Sequence, residues 1–302
     1  MSFEAKATTT GERDNPRTPV VVAVDGSERN RHAIDWGAQE AAARGWGMVL
    51  VNAIAGHLVR TPRLLTRSRE EQVLDMLADA RNRVRHIVAE ESVSIVAAAG
   101  DPVEVLLEQV AEADAELLVV GKRGLGGFAR VIVGSTSIAL AGRSPVPVAI
   151  VPDLWDQSRH EGHPVVLGID PDKADHQPIE AAFRRARRLG VALVAVHGWE
   201  TPTSSWDAPT VTGAVTETEQ EAATRFDDLL AEWRERHPDV VVRPMRVHKH
   251  PAAALLEAAE ESQVVVLGRH PAGVFGGFAF GSVARAVLHY AECPVITVPS
   301  DV

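Results

Sequence analysis

The feature that most constrains this chain is that it is written twice. VVVAVDGS at residues 20–27 returns as VVLGIDPD at 165–172. MVLVNAI at 48–54 returns as ALVAVHGW at 192–199, and SPVPVAIVP at 144–152 returns as AECPVITVP at 291–299. The offset is 145 residues at the aspartates (25 to 170) and 147 at the glycines (121 to 268). Solenoids repeat every 20–50 residues or so, whereas a unit of this length is itself the size of a domain. The 302 residues therefore divide into a tail over 1–18, a first domain over 19–152, a polar linker DLWDQSRHEGH over 153–163 and a second domain over 164–302. One fold has to serve both halves.

Within each half, short β-rich runs alternate with segments of helical period. In the first half the runs fall near 20–24, 48–54, 94–98, 117–120 and 146–151, and the amphipathic stretches near 28–44, 69–91, 103–112 and 135–143. Runs that are apolar throughout suit a sheet covered on both faces, and strand–helix alternation demands parallel pairing. Ser27 and Asp172 stand where helix caps are expected, and Pro102, Pro178 and Pro251 suit first turns. The expected class is α/β: two tandem doubly wound domains, each a five-stranded parallel sheet with helices on both faces.

Composition excludes several partners. A formal net charge of −10 disfavours nucleic acid and anionic membrane surfaces. The basic stretch FRRARRLG, with Arg184, Arg185, Arg187 and Arg188, reads as a solvated helix face. The single cysteine, Cys293, leaves no internal disulfide and suits a reducing compartment as a buried thiol. No run reaches the 18 or so apolar residues of a membrane span, and the N-terminal stretch lacks the apolar centre of a signal peptide. A cytoplasmic setting is expected.

The stretch GKRGLGGFARVIVGSTS, residues 121–137, breaks an otherwise apolar sequence after LLVV, and GRHPAGVFGGFAFGSVA repeats it at 268–284. In a doubly wound sheet, ligands bind beyond the carboxyl ends of the strands, where strand order reverses. If the first and fourth strands are neighbours, Asp25 faces this glycine loop across one crevice. Gly134 and Ser135 open the following helix, whose N–H groups and dipole favour an anion, and Gly121 and Gly124 let the backbone approach a phosphate. Other nucleotide signatures fail. Gly121-Lys122 is followed by Arg123, where a Walker A loop needs Ser or Thr. The GxGxxA match at Gly124, Gly126 and Ala129 follows the fourth strand and is absent from the second half.

With these residues in place, the chain resembles a tandem universal stress protein. The family's nucleotide pattern, G-2x-G-9x-G followed by Ser or Thr, is met by Gly121, Gly124, Gly134 and Ser135, and its acidic residue after the first strand by Asp25. The resemblance implies a Rossmann-like fold of the adenine nucleotide alpha hydrolase type. It also implies an ATP-binding regulatory role in the stress response, with Mg²⁺ accompanying the nucleotide. Asp25 would hold the ribose, and the backbone around Ala23, Val24 and Ala53 would line the adenine. Gly121, Gly124, Gly134, Ser135, Thr136 and Ser137 would surround the phosphates, with Lys122, Arg123 and Arg130 adding positive charge. A homodimer and an unidentified protein partner are implied as well.

Rival readings follow from the same residues. Asp25 could be a turn residue before Gly26, and the loop a plain strand-to-helix connection in a nucleotide-free interaction module. Ser135 or Ser137 could serve an ATPase or phosphotransferase, but no catalytic base and no nucleophile–base pair accompanies the loop, so any hydrolysis should be slow. In the second half Asp170, Gly268, Gly281 and Ser282 retain the pattern. Pro271 replaces the second glycine, Ala284 replaces Ser137 and Asp172 replaces Ser27, so the first site should be the better one. His248 and His250 lack a nearby carboxylate or thiol and make a weak metal pair.

Overall fold

The computed structural model describes residues 19–54, 69–124, 133–200, 209–269 and 281–300. They form two compact units, divided between Trp155 and Asp156. In the first unit the strands are β1 (Val20–Ala23), β2 (Met48–Ile54), β3 (Val93–Ala99), β4 (Leu117–Gly121) and β5 (Val148–Val151). The helices are α1 (Arg31–Arg44), α2 (Arg69–Val84), α3 (Pro102–Glu112) and α4 (Ser135–Arg143). All pairings are parallel and the order is β3-β2-β1-β4-β5. Val20 stands opposite both Met48 and Leu117, so β1 is central and strand order reverses beside it. Val20, Val21 and Val22 are fully buried, as a strand covered on both faces requires.

The second unit repeats the plan with β6 (Val165–Gly168), β7 (Leu193–Gly198), β8 (Val242–Val247), β9 (Val264–Arg269) and β10 (Val295–Pro299). Its helices are α5 (His176–Leu189), α6 (Pro209–Arg236), α7 (Pro251–Ala259) and α8 (Ser282–Tyr290). The parallel order β8-β7-β6-β9-β10 matches the first unit strand for strand. Cys293 is buried with its sulfur 3.4 Å from the Ser262 hydroxyl, which donates to Ala259 O at 3.0 Å. Among the described residues no helix is long and apolar enough to cross a membrane.

Four expectations are corrected. Helix α2 stops at Val84 rather than near residue 91, through a tightened turn in which the N–H groups of Ile87 and Val88 both donate to the Val84 carbonyl. Strand β5 starts at Val148 rather than 146, because Pro145 and Pro147 have no N–H to give a ladder. Asp172 does not cap a helix. Asp170 opens a short 3₁₀ turn over Pro171–Lys173, and Asp175 caps α5 by accepting from Gln177 N–H at 3.1 Å. The arginine stretch is not uniformly solvated: Arg184 is exposed, but Arg185 is buried, as are Ala182, Phe183 and Ala186 of α5.

Candidate functional site

The site is assembled where β1 and β4 end side by side, at the reversal of strand order. Beyond Ala23 the chain leaves the sheet. Val24 N–H still donates to Val51 O at 2.8 Å, and Val24 O accepts from the Asn52 side chain at 2.6 Å. Asn30, buried in the turn before α1, uses both ends of its amide. Its Nδ2 donates to Ala23 O at 3.0 Å and its Oδ1 accepts from Asp25 N–H at 3.1 Å. Asn30 and Asn52 were missed by the sequence reading. Together they saturate the strand-end backbone and fix where Asp25 stands.

Asp25 is indeed a turn residue. Its Oδ1 accepts from Ser27 N–H at 2.8 Å, and the turn passes through Gly26 at φ +81°, a value that favours glycine. The second oxygen does something else. A Cβ built on Gly124 would stand 3.0 Å from Asp25 Oδ2. The carboxylate and the glycine loop therefore close on each other across the crevice, and Oδ2 has no hydrogen-bond partner among the described residues. Ala53, on β2 opposite Ala98, lies partly exposed at the same end of the sheet.

The loop is anchored at both ends. Lys122 N–H donates to Val151 O at 2.7 Å, and Lys122 O accepts from Gly134 N–H at 2.8 Å, which brings the start of α4 back to the end of β4. Gly134 is the N-cap of α4 and offers no side chain to close the first turn. Ser135 is exposed and Thr136 partly so. Ser137 is buried and donates its hydroxyl to Gly121 O at 2.8 Å, so it braces the loop. Lys122 is buried too, and Arg123 Nε donates to Asp153 Oδ2 at 2.7 Å. Of the two described cations expected near a phosphate, Lys122 is buried and Arg123 keeps a partly exposed side chain. Gly126, Ala129 and Arg130 lie outside the described residues, as does Pro271.

In the second unit a cavity of about 390 Å³ opens at the corresponding strand ends, lined by Asp170, His197, Gly268, Arg269, Gly281 and Ser282 among others. His197 takes the place of Asn52 and makes the same stitch, its Nδ1–H donating to Ile169 O at 3.2 Å. Asp170 Oδ1 accepts from Asp172 N–H at 3.1 Å, and its Oδ2 lies 3.6 Å from Lys173 Nζ. Burial pushes the Arg269 guanidinium down from its ordinary pKa. His250 takes the place of Asp101. Asp101 accepts from Val103 and Glu104 N–H to cap α3, and His250 Nδ1 accepts from Ala252 N–H at 3.2 Å to cap α7. That is a structural use for one member of the histidine pair. No group of three or more His, Cys, Asp or Glu poised for a metal occurs among the described residues.

Comparison with known proteins gives the family. The chain matches the universal stress protein family over residues 16–152 and again over 162–299. A universal stress protein of Mycobacterium tuberculosis is 34% identical over 304 aligned residues, covering 93% of this chain and 96% of its relative. A universal stress protein structure from Archaeoglobus fulgidus shares the fold over 94% of this chain and 99% of its own, at 17% identity and a TM-score of 0.64. Another, solved in complex with cAMP, matches 45% of this chain and 98% of its own at 27% identity and a TM-score of 0.36. The chain belongs to the universal stress protein family.

Proposed function

As a member of the universal stress protein family, this chain is, we propose, an adenine-nucleotide-binding regulatory protein that holds ATP in the crevice of its first unit. Nucleotide occupancy is its signal. The observation that carries the reading is the approach of Asp25 Oδ2 to Gly124 across the β1–β4 reversal. A carboxylate oxygen without a hydrogen-bond partner among the described residues suits the two hydroxyls of a ribose, since an ionised carboxylate only accepts. Beside it lie a glycine loop and a helix start with a glycine at its N-cap, the combination that receives phosphates. In this reading Ala23, Val24 and Ala53 flank the base. Gly121, Gly124, Gly134, Ser135 and Thr136 surround the phosphates, and Ser137 holds the loop in shape.

Mg²⁺ fits as an ion borne by the nucleotide, because it keeps waters and binds substrate phosphates with few protein ligands. Hydrolysis is not part of the proposal. The Ser137 proton is given to a backbone carbonyl, and the exposed Ser135 hydroxyl makes no hydrogen bond to a base among the described residues. Turnover should stay below about 1 per second, the low end for enzymes. Asp170, Gly268, Gly281 and Ser282 form a second, weaker site. A homodimer in the cytoplasm, acting through a protein partner, completes the reading.

The test is calorimetric titration of ATP into the wild-type protein and Asp25→Asn, with mass spectrometry of any ligand that copurifies. The amide can still accept from Ser27 N–H, so the turn survives while the charge is lost. Affinity should fall about tenfold or more, the worth of one charge-assisted hydrogen bond. Equal affinity in both proteins would remove Asp25 from the site, and no binding by the wild type would end the reading.

A further inference from the structure

We propose that Asp153 is a positioning residue for the phosphate end of the first site, holding Arg123 where it selects for polyphosphate nucleotides. The inference rests on the nucleotide reading above.

Asp153 follows β5 by two residues, and its side chain is 4% exposed. One oxygen, Oδ2, meets Arg123 Nε at 2.7 Å and Arg29 Nε at 3.7 Å, while Oδ1 is buried with no hydrogen-bond partner among the described residues. A buried carboxylate is costly unless paired, and the Arg123 contact is the short one. These two arginines come from the two walls of the crevice. Arg29 lies in the turn that follows Asp25, and Arg123 lies between Gly121 and Gly124. The Arg123 backbone is built into the cradle: its carbonyl oxygen stands 3.2 Å from where a Gly121 Cβ would be, and its Cα 4.0 Å from that of Gly134.

The segment that carries Asp153 is itself held. Trp155 is buried, its N–H donates to Pro152 O at 3.3 Å, and its carbonyl meets His32 Nδ1 of α1 at 2.7 Å. A carbonyl only accepts, so the His32 proton sits on Nδ1. Asp153 is thus a fixed charge on a fixed backbone. Of the Arg123 fork only Nε is engaged among the described residues, and the side chain as a whole is 36% exposed. The remaining four N–H donors of a planar, pre-set fork match phosphate oxygens. Across the strand ends the order is Asp25 over β1, the glycines over β4 and Asp153 beyond β5. A nucleotide whose ribose sits on Asp25 would run its phosphates toward Arg123.

The second unit carries no copy of this device. Ala174 stands in place of Arg29, His270 in place of Arg123 and Ser300 in place of Asp153. Ser300 still ties the strand end to the loop, its hydroxyl donating to Arg269 O, but it presents no charge.

The experiment titrates ATP and AMP into the full-length wild type, Asp153→Asn, Arg123→Ala and the double variant. Asp153→Ser, which borrows the second unit's residue, stands in if Asp153→Asn does not fold. Each single variant should weaken ATP about tenfold while leaving AMP within about twofold, and the double variant should be no worse than Arg123→Ala. A purely structural role would weaken ATP and AMP alike. That outcome, an additive double variant, or ATP affinity unchanged or raised in Asp153→Asn would overturn the inference and leave the nucleotide reading standing. A wild type that binds neither ligand would sink both.

Discussion

At the scale of single residues, the Asp25 carboxylate divides its work between its two oxygens, and so does its surroundings. Oδ1 makes the turn and Oδ2 faces Gly124. Gly124→Val would push a branched side chain onto Oδ2, so it should abolish ATP binding in the first unit while thermal unfolding stays within a few degrees of wild type. A melting curve and a titration on the same sample check this. Ser137 allows a complementary test. Ser137→Ala frees the Gly121 carbonyl from its brace, at a cost of about 1 kcal/mol or a shift of about 2–4 °C in a domain of this size. If that hydroxyl instead serves a phosphate, affinity will drop with no change in melting temperature. Asp25 and the glycines were legible in the sequence because charge and absent side chains show in the letters themselves. Asn30 and Asn52 were not. Each is an ordinary polar residue until strand register places its amide opposite a particular carbonyl.

At the scale of elements, the two units solve one capping problem with different chemistry. Asp101 caps α3 through two N–H groups and His250 caps α7 through one. Asp101→Ala should cost about 1 kcal/mol, and His250→Ala less, as denaturant midpoints will show. A second element-scale effect joins α5 to α6. Burial alone would push the Glu180 carboxyl up, but hydrogen bonds from Arg184 and His237 outweigh it and hold the group below the usual glutamate range. A depressed folded pKa stabilises the fold above the unfolded value, and that contribution is lost as pH falls through the folded one. Stability should therefore decline on acidification below the ordinary glutamate pKa, and Glu180→Gln should flatten that limb of a pH series of melting temperatures. The end of α2 shows what local pattern misses. Residues 85–91 contain neither Gly nor Pro, so nothing in them announces the stop. Val84 and Val88 are both buried, and the chain must turn there to enter β3.

At the scale of the whole molecule, duplication has been followed by divergence. The same five-strand plan carries Asn30, Arg29, Arg123 and Asp153 in one unit and Asp175, Ala174, His270 and Ser300 in the other. Lys173 also lies near the Asp170 carboxylate, so a ribose at the second site competes with a protein cation. The two sites should bind unequally, the first more tightly. Titration of Asp25→Asn and Asp170→Asn separates them: the tighter event should vanish from the first variant and persist in the second. The reverse pattern would show that the second unit holds the stronger site.

Sequence alone determined the duplication and the parallel α/β class, whereas the facing of Asp25 and the glycine loop waited on the first and fourth strands being neighbours. The first two follow from something periodic: a repeat offset, and apolar runs alternating with helical period. Tertiary structure decided the rest. That Ser137 and Lys122 turn inward, that Arg185 is buried and that Arg123 is claimed by Asp153 all depend on which strand ends are neighbours. Hydrogen bonds and ion pairs reach only about 3 Å. Their partners here lie 16 residues away for Ser137 and Gly121, and 30 for Arg123 and Asp153. Only the folded sheet brings those distances within reach.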